Sequence, residues 1–234
     1  MGNVVCLFDY TGNMGQPWAE NGYHVECLDI QHKEVSTVTV GKGTITYRYA
    51  DLLDPVWGTW VIGLNPVFLA AFPPCTDLAV SGARHFSNKA KADPQYRDKA
   101  MSLVYASRDI AELTLAPYII ENPISVISSE WRKPDFMFDP CDYGGYLGKD
   151  EIHPEWPDMF PVQDAYTKRT CYWTGNGYTM PPTKPVETIS VRLPGGNVGP
   201  SWHAKSGGKS LRTKNIRSAT PRGVARAIYQ HLTT

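Results

Sequence analysis

The sequence predicts an α/β fold, with a mainly parallel sheet and helices on both faces. Three observations carry the prediction. Short apolar runs rich in β-forming residues alternate with helical segments, in the order strand–turn–helix–strand and later strand–helix–strand that builds parallel sheets. Turn, acidic or proline-held residues follow one apolar run after another, at 11–15, Asp29, Asp51, Pro73–Cys75 and Glu121–Pro123, which places them all at strand carboxyl ends. Hydrophobic residues make up 42% of the 234 and charged ones 20%, enough for a real core and unlike a disordered chain.

Val4–Phe8 is a compact apolar run and reads as the first strand. Thr11–Gly15 is a glycine-bearing turn, and Gln16–Asn21 a short helix closed at Asn21-Gly22. Tyr23–Ile30 alternates as a second strand ending at Asp29, and Gly43–Tyr49 is a hairpin or extended piece before Asp51. Val67–Phe72 is a buried strand that runs into Pro73-Pro74-Cys75. Asp98–Ala116 repeats apolar residues at helical spacing through Met101, Val104, Tyr105, Ile110, Leu113 and Leu115. Tyr118–Ile120 is a strand entering Glu121-Asn122-Pro123, and Arg169–Trp173 is another. Residues 124–165 are rich in proline, aspartate, glycine and tryptophan, and 174–216 read mostly as loop. Thr220–Leu232 is a terminal helix with Thr220 as N-cap and Pro221 in the first position. The expected division is a core at 1–123, an irregular annex at 124–216, and a terminal helix at 217–234 packing back on the core.

Composition excludes several classes. No run approaches the roughly 18 apolar residues of a membrane helix, and the N-terminus lacks the basic-then-apolar pattern of a secretory signal. The cysteines Cys6, Cys27, Cys75, Cys141 and Cys171 are odd in number, widely spaced and without a C-x-x-C pair. That argues against a disulfide framework or a metal site; Cys141, His153 and Cys171 lack a fourth ligand. The expectation is a reduced, cytoplasmic protein with no metal. Charge is balanced overall but unevenly placed: eight of the 23 basic residues and none of the 23 acidic ones lie in 188–234. The basic end either faces an anion such as nucleic acid or neutralises the acidic body.

Three places can carry chemistry. Phe8-Asp9-Tyr10-Thr11-Gly12-Asn13-Met14-Gly15 follows the first strand, where glycines let the backbone approach a ligand, and Asp29 is placed to accept from two ribose hydroxyls. Cys75, held by two prolines past a buried strand, is either a positioned nucleophile or a small buried apolar side chain. Glu121 is an acid, base or hydrogen-bond partner, or else a turn residue. Gly207-Gly208-Lys209-Ser210 is not a phosphate loop, because the glycine that pattern needs is His203. Trp131, Trp156, Trp173 and Trp202 are stacking platforms for bases or, as more often, anchors of the core and loops.

Taken together, these motifs resemble the DNA cytosine-5 methyltransferase family, in its compact, phage-type branch. Phe8–Gly15, Asp29, Asp51, Pro74-Cys75 and Glu121-Asn122 stand in that family's order. Thr167-Lys168-Arg169-Thr170 looks like its arginine-bearing motif, and Ser218–Ala225 like its terminal helix motif. The resemblance implies a Rossmann-like S-adenosylmethionine-dependent methyltransferase fold that methylates C5 of cytosine in DNA. Cys75 would be the thiolate that attacks C6, Glu121 the partner of N3 and the exocyclic amine, and Arg169, with Lys168 second, the grip on O2. The cofactor S-adenosyl-L-methionine would meet Phe8, Tyr10, Thr11, Gly12, Asn13, Gly15, Asp29, Asp51 and Pro73. Pro74, Asn122, Arg84, Lys209, Arg212 and Lys214 would serve the substrate. Two departures are visible: the turn has Gly12-x-x-Gly15 where the family has G-x-G, and Pro123 stands where an aliphatic residue is common. Full-size relatives carry a separate target-recognition domain where this chain has only 174–216. Lys205, Lys209, Arg212, Lys214 and Arg217, the segment 124–165, a second copy or an accessory protein would supply recognition. Rival readings keep the chemistry on a free deoxycytidine nucleotide, on RNA, or with a different transferred group, or keep the fold as a DNA-binding protein without turnover.

Overall fold

The computed structural model describes residues 2–192, 195–200, 202 and 210–234. The chain divides into two compact units, Met1–Met137 with Thr170–Thr179, and Phe138–Arg169 with Met180–Thr234.

The first unit is built on an eight-stranded mixed sheet. Its elements run β1 (Asn3–Leu7), α1 (Gln16–Glu20), β2 (His24–Leu28), β3 (Ser36–Val40), β4 (Gly43–Arg48), α2 (Pro55–Gly63), β5 (Phe68–Ala71), a 3-10 helix at Val80–His85, α3 (Phe86–Ala92), α4 (Tyr96–Thr114), β6 (Tyr118–Pro123), α5 (Ile127–Glu130), β7 (Phe136–Phe138) and β8 (Thr170–Gly175). The strand order is β3-β4-β2-β1-β5-β6-β8-β7. β4, β2, β1, β5 and β6 are parallel, whereas β3 and β8 pair antiparallel with β4 and β6. The chain moves outward from β1 to β2 and β4, then returns to β5 and continues the other way. The switch point, where open α/β sheets form a crevice, therefore lies between the carboxyl ends of β1 and β5.

Strand periodicity assigns the faces. Val5, Leu7, Leu28, Leu69, Ala71, Tyr118, Ile120 and Trp173 join Val61 of α2 and Met101, Val104, Ile110 and Ala111 of α4 in one buried cluster. On the opposite face Phe68 stacks on Trp18 of α1, with ring centroids 5.4 Å apart. Helices thus cover both faces, as expected.

Several boundaries differ from the sequence expectation. Glu121-Asn122-Pro123 lie inside β6, because β8 supplies an antiparallel partner as far as Pro123 opposite Thr170. β3, α2 and α3 were not anticipated, although Asp54 caps α2 by accepting from the Val56 amide at 3.0 Å and Pro55 opens it. α4 ends at Thr114, with Leu115 left-handed at φ 59°. Its buried stripe runs through Ile110, Ala111 and Thr114, which leaves Leu113 and Leu115 exposed.

The second unit contains 3-10 helices at Pro140–Tyr146 and Val162–Asp164, the two-residue strands β9 (Val191–Arg192) and β10 (Val198–Gly199), α6 (Leu211–Ser218) and α7 (Arg222–Thr233). α7 buries Gly223, Val224, Ala225, Ala227 and Ile228. Gly223 is needed there, since a Cβ would stand 2.6 Å from the Tyr143 carbonyl oxygen. The terminal helix groups with this unit. Its cap differs from the sequence expectation: Pro221 is the N-cap residue, and the Asp164 carboxylate accepts from the Gly223 amide at 2.8 Å. α6 was read as loop, yet Ser210 caps it by accepting from the Thr213 amide.

Candidate active site

The turn after β1 is held by Asp9. Its Oδ1 accepts from the Thr11 amide (2.8 Å), the Thr11 hydroxyl (3.0 Å) and the Gly12 amide (2.9 Å). Oδ2 is buried and has no hydrogen-bond partner among the described residues, and burial raises this carboxyl above the ordinary aspartate range. Phe8 is half-buried with φ 57°, a left-handed conformation that costs a bulky residue about 1–2 kcal/mol. The glycines serve packing as well as freedom. A Cβ on Gly12 (φ +73°) would lie 2.5 Å from Tyr47 Oη, and one on Gly15 would lie 2.3 Å from Val25 Cγ1. Both glycines and Asn13 are buried, so Tyr10 and Thr11 present the more accessible surface of this turn. Tyr10 stacks on His32 at 5.4 Å, and His32 Nε2 donates to the Asp9 carbonyl at 3.2 Å.

The ends of β2 and β4 meet beside this turn. The Asp29 amide donates to Arg48 O, and the Ala50 amide donates to Asp29 O, which sets Asp51 next to Asp29. Asp29 is buried, its Oδ1 accepts from the Gln31 amide at 2.7 Å, and burial raises its carboxyl. Asp51 is exposed and accepts from the Leu53 amide. Ile30, not singled out in the sequence, is 63% exposed directly after Asp29. An apolar platform beside a carboxylate acceptor, next to a strained turn, fits the apolar face and hydroxyls of a nucleoside.

Across the switch point, the Phe72 amide donates to Leu7 O at 3.0 Å and leads into Pro73-Pro74-Cys75. Pro73 is buried, Pro74 exposed and Cys75 half-buried. This turn is joined to the end of β6. Asn122 Nδ2 donates to the Pro73 carbonyl at 2.9 Å, the Val80 amide to Ile124 O at 3.0 Å, and the Val126 amide to Leu78 O at 3.0 Å. Ala71 pairs with Ile120, so Glu121 stands one residue further on, level with the start of the cysteine turn. Glu121 is half-buried opposite Tyr172. Asn122 and Ser125 are buried, and neither Asn122 Oδ1 nor Ser125 Oγ has a hydrogen-bond partner among the described residues. Lys89 of α3 clamps the segment after Cys75, donating to Thr76 O at 2.8 Å and to Asp77 Oδ1 at 2.6 Å.

The structure therefore brings together Phe8–Gly15, Asp29, Asp51, Pro73–Cys75 and Glu121-Asn122 along one edge of the sheet. Arg84 lies exposed in the first unit, its Nε donating to His85. Lys168, Arg169, Arg212 and Lys214 belong to the second unit. There Lys168 is half-buried, and Arg169, 51% exposed, pairs with Asp139 at 3.0 Å. Arg212 and Lys214 are exposed on α6, as is Arg217. Lys205 and Lys209 lie outside the described residues. Of the tryptophans, Trp173 is wholly buried and donates to Arg132 O, and Trp156 packs against His153 and Phe160, which makes both structural. Sequence reading passed over Ile30, Lys89 and Ser125. Only Ile30 carried a signal, an apolar residue beyond the acid that ends its strand.

All five cysteines are described and none is in a disulfide. Cys6 and Cys27 are register partners on β1 and β2, both fully buried. A hydrogen bond between the two thiols favours the Cys6 thiolate, but burial and Asp9 outweigh it, so Cys6 titrates above the usual thiol range. The same bond, followed by burial, pushes Cys27 higher still. Neither is a nucleophile; Cys75 alone of the five is not buried. Among the described residues no helix is long and apolar enough to cross a membrane. No protein-family model matches the chain, and no curated protein matches it.

Proposed function

We propose that the chain is an S-adenosylmethionine-dependent methyltransferase acting on C5 of cytosine in DNA, with Cys75 as covalent nucleophile. The observation that carries the reading is the tie between the two motifs: Asn122 of Glu121-Asn122 holds the carbonyl of Pro73, two residues before Cys75. Both stand at carboxyl ends of adjacent parallel strands, beside the switch point.

Cytosine C5 is a weak nucleophile. Cys75 Sγ bonds to C6, which places an electron pair on C5 through the enamine. Glu121 hydrogen-bonds N3 and the exocyclic amine and offsets the charge that develops in the ring. Asn122 positions the cysteine turn. The resemblance assigns the grip on O2 to Arg169. When bound, the cofactor would supply a methyl group activated on a sulfonium; Asp29 would accept from its ribose, Asp51 would bind the adenine amine, and Ile30 would pack on the base. Once C5 carries the methyl group, water takes the C5 proton, the electron pair of that C–H bond re-forms the C5–C6 double bond, and the C6–S bond breaks, which frees Cys75 as a thiolate. A target base in a duplex must first leave the stack, at a cost of a few kcal/mol.

The test is twofold. Labelled methyl from the cofactor is expected in duplex DNA, and a 5-fluorocytosine oligonucleotide is expected to form a covalent adduct that Cys75→Ser abolishes. Label found only in dCMP or RNA moves the substrate. An adduct formed equally by Cys75→Ser removes the nucleophile assignment. No label and no adduct leaves the DNA-binding reading.

A further inference from the structure

We propose that Cys6, Cys27 and Asp9 form a binding site for one thiophilic divalent cation of the zinc class. The two sulfurs and one carboxylate oxygen of Asp9 all lie within 4.8 Å of one another, and all three residues are buried. Tetrahedral zinc, with Zn–S near 2.3 Å and Zn–O near 2.1 Å, puts ligand atoms roughly 3.5–3.8 Å apart, so closure on an ion needs only side-chain adjustment. A second observation is independent of the clustering. Asp9 is 4% exposed, Oδ1 is saturated by the turn, and Oδ2 has no hydrogen-bond partner among the described residues. A buried acceptor without a donor is costly, and a cation supplies what it lacks.

Two thiolates with a carboxylate suit zinc or cadmium, and disfavour magnesium and calcium, which take oxygen sets. Binding transfers the two thiol protons to bulk solvent and leaves one coordination position open. The ligands come from two strands and from the turn after β1, which explains why no spacing motif announces them. An ion here would fasten the carboxyl ends of β1 and β2 to the base of that turn. The proposal does not rest on the methyltransferase reading.

The test uses the full-length, reduced protein, refolded from urea under nitrogen with Cd2+, so that burial does not block entry. The expected result is one ion per chain with an ultraviolet thiolate-to-cadmium band. Cys75→Ser keeps the band, while Cys6→Ser and Cys27→Ser each lose it. Asp9→Asn weakens affinity by at least about tenfold, the loss typical even of a ligand's outer partner. Two measurements on the unmutated protein cover variants that fail to fold. Zinc raises its Tm, since an ion bound to the native state stabilises it, and X-ray absorption finds two sulfurs and at least one light atom around the metal. No band, a band that follows Cys75, a lowered Tm, or a four-sulfur shell overturns the proposal, and leaves Cys6 and Cys27 as small apolar side chains.

Discussion

The two units treat buried polar atoms in opposite ways. In the sheet unit Asp9 Oδ2, Asn122 Oδ1 and Ser125 Oγ, which lie at or just past strand carboxyl ends, are buried without a hydrogen-bond partner, as is Arg97 Nε on α4. In the second unit, among the described residues, the buried side-chain groups are satisfied. Buried Asp164 accepts from Gly223 and buried His153 Nδ1 accepts from the Trp156 amide at 3.1 Å, while half-buried Glu151 pairs with Arg222 at 2.6 Å and with Arg226 at 2.9 Å. Satisfied groups hold a structure, whereas orphaned ones hold capacity for a ligand or a reaction. The sheet unit thus keeps unused hydrogen-bonding capacity at the carboxyl ends of its strands, whereas the second unit uses its own internally.

The sharpest test separates activity from stability at one residue. Cys75→Ser is expected to abolish methyl transfer and the fluorocytosine adduct while changing unfolding free energy by no more than about 0.5 kcal/mol, because Cys75 is only half-buried. Urea denaturation beside the transfer assay measures both. A large loss of stability would make Cys75 structural.

Next in size is the pH response of the second unit. Burial raises the Asp164 carboxyl to about 6 and lowers the His153 imidazole to about 4. Asp164 has a folded value above its unfolded one, so its contribution is full below about pH 4 and is lost as pH rises through 6. His153 has a folded value below its unfolded one, so its contribution is full above about pH 6.5 and is lost as pH falls toward 4. Each is worth about 3 kcal/mol at the far end, and between pH 4 and 6 the slopes oppose. The wild type is expected to be nearly flat there. Asp164→Asn, which keeps an acceptor for Gly223, should make stability rise with pH, and His153→Asn should make it fall. Denaturation midpoints followed by circular dichroism from pH 4 to 7 check the signs.

Asn122→Ala is expected to cost about 1–3 kcal/mol by stranding the buried Pro73 carbonyl, and to slow adduct formation more than it slows alkylation of Cys75 by a small reagent. Equal slowing would mean that the turn, and not the substrate geometry, had changed. Arg169→Ala should be smallest in stability, under about 1 kcal/mol, because its pair with Asp139 is half in water. If Arg169 grips cytosine, transfer falls by far more than that, and the KM against kcat split shows which step suffers.

What the sequence disclosed follows the reach of each signal. β1, β2, β5 and α4 announced themselves by local periodicity, and the acids and cysteine beyond them by position. The partner of Glu121 was invisible, because β8 comes from 170–175 and nothing local says that it extends β6 past Ile120. α6 has a weakly apolar face, and only its Ser210 cap marked it. The capping of α7 by Asp164 joins residues far apart in the chain, so Thr220 was the natural but incorrect local choice. The Cys6, Cys27 and Asp9 cluster is a product of strand register and has no linear pattern.

The backbone crosses between the units three times, after Met137, after Arg169 and after Thr179, and on the middle passage it donates β8 to the sheet. The second unit is therefore no cassette. It cannot be excised, transplanted or exchanged by a single recombination without removing a strand that pairs with Glu121-Asn122. Substitutions and loop insertions within the second unit leave that strand in place, whereas its exchange as a block does not.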